Sequence, residues 1–529
     1  MRLSITVISR MAIRLGTVIC SIGMCVIPVT AAQGTPSTET DPVIGITATH
    51  EPSINEVPFP SSFGRKANPD MQVSEKLNGK DGLSSVAVTW RGITAQSPQI
   101  ELRYQDQEKW SNWITLETSD AMSQHEDEHQ QTTDLVYVGT ADAVQARISS
   151  PDNVDIQKPA LVVVDSGYAA NTDDISSVAD NAPTKNAEPT ITPVIHTREE
   201  WWNPNLPERT WQPNRNANWR GAVVHHTVDR NDYSQAEVKA IIQNIYTFHC
   251  AERGWGDIGY NLLVDRFGGI WEGRDEGVPN TVVQASNVEA AHTGSFNSAT
   301  FGVAVIGSFH LNEEPTEASI NAVSSAIAWE FEGLGIMDAD GTFPYLGTQQ
   351  RISGHGDESH WYNSGNHTLC PGVRLSQRLP NIRATVQQLL NTIMPAGGIP
   401  VYRVYNPNSG LHHYTTNAGE REVLLAHGWQ DENIAFYGSL NGTAVYRLYN
   451  PHDGNHIWTM DAKEYLALQR IGWNDESTAW FVNTAATNNV YRLYNPLNGE
   501  HLYTTSRQEY EILPSRGWNP EGIAWRTLA

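Results

Sequence analysis

The chain has 529 residues and a formal net charge of −24 at pH 7, with 59 acidic against 35 basic residues. This length allows about three domains, at roughly 150 residues each. A chain this acidic is repelled by phosphate backbones, so we expect no nucleic-acid partner. The same charge argues against adhesion to an anionic surface by electrostatics alone.

The first 32 residues have the layout of a secretory signal peptide. Three arginines precede an apolar run over 15–29, and small residues follow at 30–32. The run is short for a membrane span, and no later segment is apolar for about 18 residues. We therefore expect a secreted chain, extracellular or wall-associated, without a membrane anchor. Beyond the signal only Cys250 and Cys370 remain, and they could form one disulfide or act as separate thiols.

Residues 33–80 are rich in Thr, Pro, Ser and Asn without hydrophobic periodicity, which predicts a disordered lead-in. Short strands with turn residues between them then favour a β-sandwich over 81–167. Its Trp90, Trp110 and Trp113 could belong to the core or form a face on which sugars stack. The predicted strands are VAVTW (86–90), QIELRYQ (99–105), NWITLE (112–117), DLVYVG (134–139), AVQARIS (143–149) and ALVVVDSG (160–167).

A polar linker at 168–193 leads to a segment at 194–395 that mixes helices and strands, which predicts an α/β domain with helices beside a mixed sheet. SQAEVKAIIQNIYTFH begins with the capping-box residues Ser234 and Glu237. Its apolar residues then recur at helical spacing. Further helices are predicted over 316–331 and 381–393, and strands in GAVVH, YNLLV, FGVAVIG and RIS.

After residue 395 the sequence repeats itself three times. The units begin VYRVYNPNSG at Val401, VYRLYNPHDG at Val445 and VYRLYNPLNG at Val490, and each later carries a Gly-Trp pair. Such self-similarity is typical of units that stack or close around an axis. We therefore predict a β-rich closed module over 400–529, propeller-like or trefoil-like. One histidine recurs in each unit, and this periodicity favours packing over metal binding: His412, His456 and His501.

Three stretches of the middle segment concentrate metal-binding and catalytic residue types. GAVVHHTVD places His225 and His226 at the end of an apolar strand, and GWGDIGYN contains Tyr260. GHGDESHWYNSGNHTLCPG contains His355 and Cys370. Histidines and a cysteine from separated stretches are weak support for zinc on spacing alone. The residues by themselves leave open a metal site, a cysteine nucleophile and a polar surface loop.

Taken in order, these stretches resemble the peptidoglycan-recognition and zinc-dependent type 2 N-acetylmuramoyl-L-alanine amidase family, over essentially all of 194–395. The matching motifs are VVHHT, FHCAERGWGDIGYN, DRFGGIWEGRD, AAHTGSFNSATFGVAVIG, SGHGD and TLCPG. The resemblance implies that His225, His355 and Cys370 bind zinc (Zn2+). Three protein ligands leave the fourth tetrahedral position open, as a catalytic site requires.

The resemblance also assigns the residues around the metal. Tyr260 would donate its hydroxyl to a developing oxyanion, and Thr368 would stand beside the metal as a second catalytic residue. The sequence shows no glutamate placed as a general base. The groove for the stem peptide and muramic acid would be lined by His226, His249, Arg253, Trp255, His292 and Asn297.

The spacing between the last two implied ligands departs from the family. His355 and Cys370 lie fifteen residues apart, farther than in relatives, because of an insertion at 358–367. The motifs on both sides of the insertion are retained, so we expect it to loop out. His360 or His367, which lie within it, could instead displace a ligand.

The implied activity is hydrolysis of the amide between the muramoyl lactyl group and L-alanine in peptidoglycan. The competing interpretation is a protein that binds peptidoglycan without cutting it, although such relatives lack the metal cysteine that is present here. The segment at 81–167 resembles the region beside this amidase in secreted actinobacterial proteins. The C-terminal units resemble a repeat of unassigned function in wall hydrolases. Their recurring aromatic residues could all belong to the core, or some of them could hold wall polysaccharide.

Overall fold

The computed structural model describes residues 51–59, 71–78, 85–91, 98–118, 130–149, 156–167, 188–310, 313–357, 368–483 and 485–528. All of these ranges belong to one unit, residues 46–529. The predicted signal peptide and the insertion with His360 and His367 lie outside the described residues. Within the described ranges, no helix is long and apolar enough to cross a membrane.

Two antiparallel sheets pack face to face in the N-terminal domain. Its strands are β1 (Ser53–Pro58), β2 (Met71–Val73), β3 (Leu77–Asn78), β4 (Ser85–Arg91), β5 (Gln99–Asp106), β6 (Lys109–Trp110), β7 (Ile114–Leu116), β8 (Gln130–Thr132), β9 (Val136–Tyr137), β10 (Ala143–Ser149) and β11 (Gln157–Asp165). One sheet has the order β1-β11-β4-β8 with β9 beside β4, and the other the order β2-β10-β5-β6 with β3 and β7 at its side. Alternate residues of both sheets, such as Val88 and Ile100, share one core, which makes the domain a β-sandwich.

The lead-in predicted to be disordered at 33–80 differs from this expectation where the structure describes it, because it supplies β1, β2 and β3. β1 pairs with β11, with Ile54 opposite Val164, while β2 and β3 pair with β10. Short edge strands carry little periodicity of their own and are stabilised by the buried strand beside them. The local sequence pattern therefore did not reveal them.

The three tryptophans of this domain divide between core and surface. Trp90 is 2% exposed and belongs to the core. Trp110 and Trp113 are half-buried and lie on either side of Arg103, whose guanidinium carbon is 4.4 and 4.5 Å from their ring centroids. Each of the two surface rings thus packs against a cation.

The middle domain is a mixed sheet between helices. Its elements are β12 (Ile195–His196), α1 (Arg198–Trp201), β13 (Gly221–His226), α2 (Val238–Ala251), β14 (Leu262–Val264), β15 (Ile270–Glu272), β16 (Thr300–Val305), α3 (Glu317–Gly333), β17 (Thr342–Pro344), β18 (Thr348–Gln350), β19 (Ile352–Gly354), α4 (Val373–Ser376) and α5 (Leu379–Ile393). The order β12-β15-β14-β16-β13-β19 is parallel except between β14 and β15. α2 packs Ile241 and Ile245 against Leu263 on one face, and α3 and α5 cover the other with Ile327 and Val386.

The start of α2 follows the predicted capping box. The Ser234 side chain accepts from the backbone of Glu237, whose carboxylate in turn accepts from the backbone of Ser234. A single 3-10 turn at 235–237 comes before the helix proper. This start directs the apolar side of α2 onto the sheet.

The C-terminal domain repeats one order of elements, two strands, a helix and a strand. They are β20 (Gly398–Asn406), β21 (Leu411–Thr415), α6 (Ala418–Ala426), β22 (Gln430–Ser439), β23 (Thr443–Tyr449), β24 (His456–Thr459), α7 (Ala462–Arg470), β25 (Asn474–Val482), β26 (Asn488–Asn495), β27 (Glu500–Thr504), α8 (Arg507–Ile512) and β28 (Asn519–Thr527). A bridge between Tyr437 and Leu528 links the last strand back to the first unit, so the sheet is nearly closed. Equivalent positions of the units meet in one core: Val401, Val445 and Val490; Tyr414, Trp458 and Tyr503; Phe436, Trp480 and Trp525.

A buried ion cluster joins the C-terminal domain to the middle domain. Glu422 on α6 is 1% exposed, and its carboxylate lies 2.6 Å from the Arg220 guanidinium and 2.9 Å from that of Arg351. At the equivalent position of the third unit, Glu511 is exposed and pairs with Arg507. The first unit therefore uses this glutamate to contact the middle domain, whereas the third unit leaves it on the surface.

Candidate metal centre

The three implied metal ligands meet at one edge of the central sheet. β13 ends at His225 and His226, its parallel neighbour β19 ends immediately before His355, and Cys370 lies just before α4. Parallel strands that are neighbours end at the same edge, so their following side chains converge. One donor atom from each of His225, His355 and Cys370 lies within 4.8 Å of the others.

A chain of hydrogen bonds fixes which nitrogen of His225 faces the other ligands. The Thr300 carbonyl can only accept, so the His292 Nε2 that lies 3.1 Å from it must carry the proton. His292 Nδ1 therefore accepts from His225 Nε2, at 3.0 Å. This leaves the lone pair of His225 Nδ1 facing Cys370 Sγ, 3.6 Å away. Such partners behind a ligand are typical of metal-binding histidines.

A glycine makes this arrangement possible. A Cβ atom at Gly302 would lie 2.6 Å from Cγ of His292, so a side chain here would displace the ring that orients His225. The position lies on β16, where a glycine otherwise weakens a strand. The glycine is therefore explained by the site and not by the sheet.

The electrostatics of the site suit a metal ion. Burial lowers the pKa of His225 well below its usual value and lowers that of His355 to about 4, so both rings are neutral at pH 7. The His226 N–H points at Cys370 Sγ from 3.4 Å, a contact that favours a thiolate. Two neutral imidazoles and one thiolate are a donor set that zinc takes, and the residues present therefore fit this metal.

The second cysteine, Cys250, is not among the three residues of the metal centre. Cys250 and Cys370 are both free thiols, so the disulfide left open by the sequence is not formed. Burial raises the pKa of Cys250 to about 12, and this residue lies in the last turn of α2, partly buried against the apolar cluster of that face. A thiol with a raised pKa is unreactive at neutral pH.

Tyr260 lies beside the ligands. Its ring centroid is 5.4 Å from that of His225. Burial raises the pKa of the Tyr260 hydroxyl well above 10, and the charge of Cys370 acts in the same direction. The hydroxyl therefore stays protonated and can donate a hydrogen bond, which is the role the resemblance implies.

The Thr368 side chain forms a hydrogen bond with a residue of the N-terminal domain. Its hydroxyl donates to the carboxylate of Glu117 at 2.7 Å and accepts from the Cys370 N–H at 3.1 Å. A threonine hydroxyl has a single proton, so this proton is directed at Glu117 and not at the metal centre. In this conformation Thr368 holds the segment that carries the cysteine.

Three of the predicted groove residues surround Tyr260 and the ligands. The His249 ring lies 4.5 Å from Trp255 and 5.8 Å from Tyr260, and its Nδ1 accepts from the Gly259 N–H at 3.0 Å. His226 is buried, and its Nε2 has no hydrogen-bond partner among the described residues. Their roles in substrate binding remain predictions.

The other three predicted groove residues are held by the protein itself. Both ring nitrogens of His292 are used within the chain from Thr300 to His225, which leaves neither for a substrate. The Asn297 side-chain oxygen accepts from the N–H of His292 at 2.9 Å and so shapes that loop. Arg253 is 2% exposed and donates to the Thr133 carbonyl of the N-terminal domain at 3.1 Å. These contacts hold the three residues in place, and their roles in substrate binding remain predictions.

Glu117 was missed by sequence reasoning. It is a single acidic residue at the end of the predicted strand NWITLE, where no motif or spacing distinguishes it. Its proximity to Thr368 arises from the packing of two domains, because the two positions are 251 residues apart in the sequence. Only the tertiary structure brings them together.

Three protein families match different parts of the chain, and one of these matches contains the site. Residues 215–373 match the N-acetylmuramoyl-L-alanine amidase family. Residues 36–188 match a family described as Rv3811 N-terminal galactose-binding domain-like, and residues 400–528 match a domain of unknown function. The second match begins before the predicted sandwich boundary at 81, as do the strands β1, β2 and β3.

Peptidoglycan-recognition proteins are among the relatives with similar sequences. Peptidoglycan-recognition protein SC2 of Drosophila melanogaster is 33% identical over 107 residues, which is 20% of this chain and 52% of that protein. The chain thus spans about half the length of this relative. Peptidoglycan recognition protein 1 of Bos indicus is 27% identical over 168 residues, 31% of this chain and 74% of that protein.

Among solved structures, N-acetylmuramoyl-L-alanine amidase LysC from Clostridium intestinale URNW is similar at 25% identity, over 37% of this chain and 98% of that chain, with a TM-score of 0.26. The family match includes His225, His355 and Cys370. The middle domain thus matches the N-acetylmuramoyl-L-alanine amidase family over residues 215–373, and peptidoglycan-recognition proteins are among the relatives of this chain.

Proposed function

We propose that this protein is a secreted, zinc-dependent N-acetylmuramoyl-L-alanine amidase that hydrolyses the bond between muramic acid and L-alanine in peptidoglycan. The observation that carries the proposal is the convergence of His225, His355 and Cys370 donor atoms within 4.8 Å, with the Tyr260 ring beside them. A protein that only binds peptidoglycan has no need of this buried set of donors. The names of this chain's relatives, peptidoglycan-recognition proteins, support peptidoglycan as the substrate.

The chain's own residues would prepare the site for hydrolysis. Zinc, when bound, would polarise the scissile carbonyl and lower the pKa of water at its open position. His292 keeps the His225 lone pair directed at the ligands. Tyr260 remains protonated and is positioned to donate to the oxygen on which negative charge develops. Burial of the ligands excludes bulk water and strengthens these interactions.

A direct test uses a soluble muramoyl peptide and the purified full-length chain. We expect mass spectrometry to detect a released peptide with a free L-alanine amino terminus. A strong chelator should abolish the release, and added zinc should restore it. Binding of the muramoyl peptide without any release, at saturating zinc, would instead identify a recognition protein.

We also propose that the C-terminal domain holds the enzyme on wall polysaccharide. Stacked tyrosine pairs lie half-buried on the second and third units, with ring centroids 4.4 Å apart for Tyr446 and Tyr465 and 4.6 Å apart for Tyr491 and Tyr510. In the first unit the corresponding Tyr402 is 2% exposed and is covered. Aromatic faces suit sugar rings, and two weak sites on one domain bind a polymer more tightly than one.

A further inference from the structure

We infer that Glu117 of the N-terminal domain is a positioning residue for the metal centre, so that the N-terminal and middle domains form one catalytic unit. The inference rests on the proposed zinc amidase function. It supplies a role for a carboxylate that the middle domain alone does not contain and that the family match at 215–373 does not include.

Glu117 binds the two residues that precede the cysteine ligand. One carboxylate oxygen accepts from the Thr368 hydroxyl at 2.7 Å, and the Leu369 N–H lies 2.8 and 2.9 Å from the two oxygens. The Thr368 oxygen in turn accepts from the Cys370 N–H at 3.1 Å. A continuous chain of hydrogen bonds therefore runs from Glu117 to the backbone of the ligand.

The segment at 368–370 has particular need of such an anchor. The insertion at 358–367 lengthens the covalent connection between His355 and Cys370. A longer connection restricts the separation of its ends less, so Cys370 depends more on noncovalent contacts for its position. Bonds to a charged acceptor are about twice as strong as neutral ones, which makes a carboxylate an effective anchor.

Glu117 also approaches the opposite flank of the site. Its carboxylate lies 4.0 Å from Nδ1 of His310, which follows β16. The His310 ring is edge-on to His226, with centroids 4.5 Å apart, and His226 is the neighbour of the ligand His225. One side chain of the N-terminal domain thus contacts both loops that border the metal centre.

The domain interface holds Glu117 in place before any substrate arrives. Asp229 accepts from the Tyr137 N–H at 2.6 Å, and Asn244 accepts from the Ser166 N–H at 2.9 Å. Phe248 of α2 packs into an apolar cluster formed by the N-terminal residues Ala87, Leu135, Val162 and Val164. The N-terminal domain is therefore docked on α2 by buried contacts, and Glu117 is part of a rigid surface.

The same interface offers a matched control. Asp106 of the N-terminal domain lies 3.1 Å from the guanidinium of Arg230 in the middle domain. This ion pair joins the two domains, and among the described residues Asp106 forms no hydrogen bond or ion pair with the segment at 368–370. Asp106→Asn therefore weakens the docking without removing the anchor of the cysteine.

The test compares full-length wild type with Glu117→Ala, Glu117→Gln and Asp106→Asn. Zinc affinity is measured by competition with a chromophoric chelator, and the thiolate-to-cobalt absorption of the Co2+-loaded protein reports the position of Cys370. We expect Glu117→Ala to weaken zinc binding roughly 10–100-fold and to shift this absorption band. Glu117→Gln should be intermediate, because its amide oxygen still accepts from Thr368 while its NH2 group opposes the Leu369 N–H. Asp106→Asn should retain wild-type values.

Thermal melting of each variant shows whether it is folded. If Glu117→Ala is folded and matches Asp106→Asn in zinc affinity and in the cobalt band, Glu117 does not position the site. A higher hydrolysis rate in Glu117→Ala would also overturn the inference, since the carboxylate would then obstruct the site. Failure of the wild type itself to bind zinc or to hydrolyse would contradict the proposed function instead.

Discussion

Glu422 provides a quantitative test of how the C-terminal domain is attached. Glu422→Gln removes the one buried charge that lies between Arg220 and Arg351, whose guanidinium groups are 2.6 and 2.9 Å from its oxygens. Burial already lowers the pKa of Arg220 despite this partner. Removing one member of a buried ion pair costs about 3–5 kcal/mol, because the remaining charge is left uncompensated. Arg351 keeps a contact to Asp338 at 3.2 Å, so we expect the lower end, about 3 kcal/mol.

The assay is equilibrium unfolding in urea, followed by tryptophan fluorescence, with the midpoint and slope compared between variants. Glu511→Gln is the control, because it makes the same change at the equivalent, exposed position of the third unit. We expect this control to unfold like the wild type. If Glu422→Gln also unfolds like the wild type, or loses less than about 1 kcal/mol, the cluster does not join the domains. The same cluster means that deleting residues 400–529 would leave two buried arginines without their glutamate, so substitutions in the full chain are the sharper experiment.

Three further predictions concern the hydroxyl donor, a buried carboxyl group and the C-terminal aromatic residues. Tyr260→Phe should retain its zinc and lose on the order of 10²–10³ in hydrolysis rate, and a loss below about threefold would mean that Tyr260 only packs. Burial raises the pKa of Glu330 to about 8, so the folded state binds more protons than the unfolded state and stability should fall as the pH rises from about 4.5 towards 8. Glu330→Gln should flatten this decline in urea unfolding at several pH values, and an unchanged decline would assign it to other groups. Replacing Tyr465 and Tyr510 by Ala should leave hydrolysis of soluble muramoyl peptides unchanged while reducing cosedimentation with purified walls. Full cosedimentation of that double variant would contradict the wall-holding proposal.

The parts of the fold that local sequence determines were predictable. The capping box at Ser234 and the apolar spacing behind it correctly indicated α2, because both depend on residues within one or two turns. The strand over 143–149 alternates buried and less buried side chains, and its predicted limits agree with β10. The three implied ligands follow strand ends or motif anchors, and the structure brings their donor atoms together.

The remaining features depend on contacts between distant segments. β1 is a strand because β11 lies beside it, which the composition of the segment at 33–80 does not reveal. His292 orients His225 because a Thr300 carbonyl and Gly302 lie next to its ring, a relation that a family motif alone does not specify. Glu117 and Thr368 meet only after two domains dock. In each case the determining interaction is tertiary, so no local pattern carries it.

The most direct test of the central claim compares the wild type with Cys370→Ser on a soluble muramoyl peptide, with bound zinc and released peptide measured on the same samples. A serine hydroxyl is a poor zinc ligand at neutral pH, whereas the surrounding groove residues are unchanged. We expect one zinc per wild-type chain and release of a peptide with a free L-alanine amine. We expect Cys370→Ser to bind the muramoyl peptide but neither to retain zinc nor to release product. Hydrolysis at the wild-type rate by Cys370→Ser, or no hydrolysis by a zinc-loaded wild type, would contradict that claim.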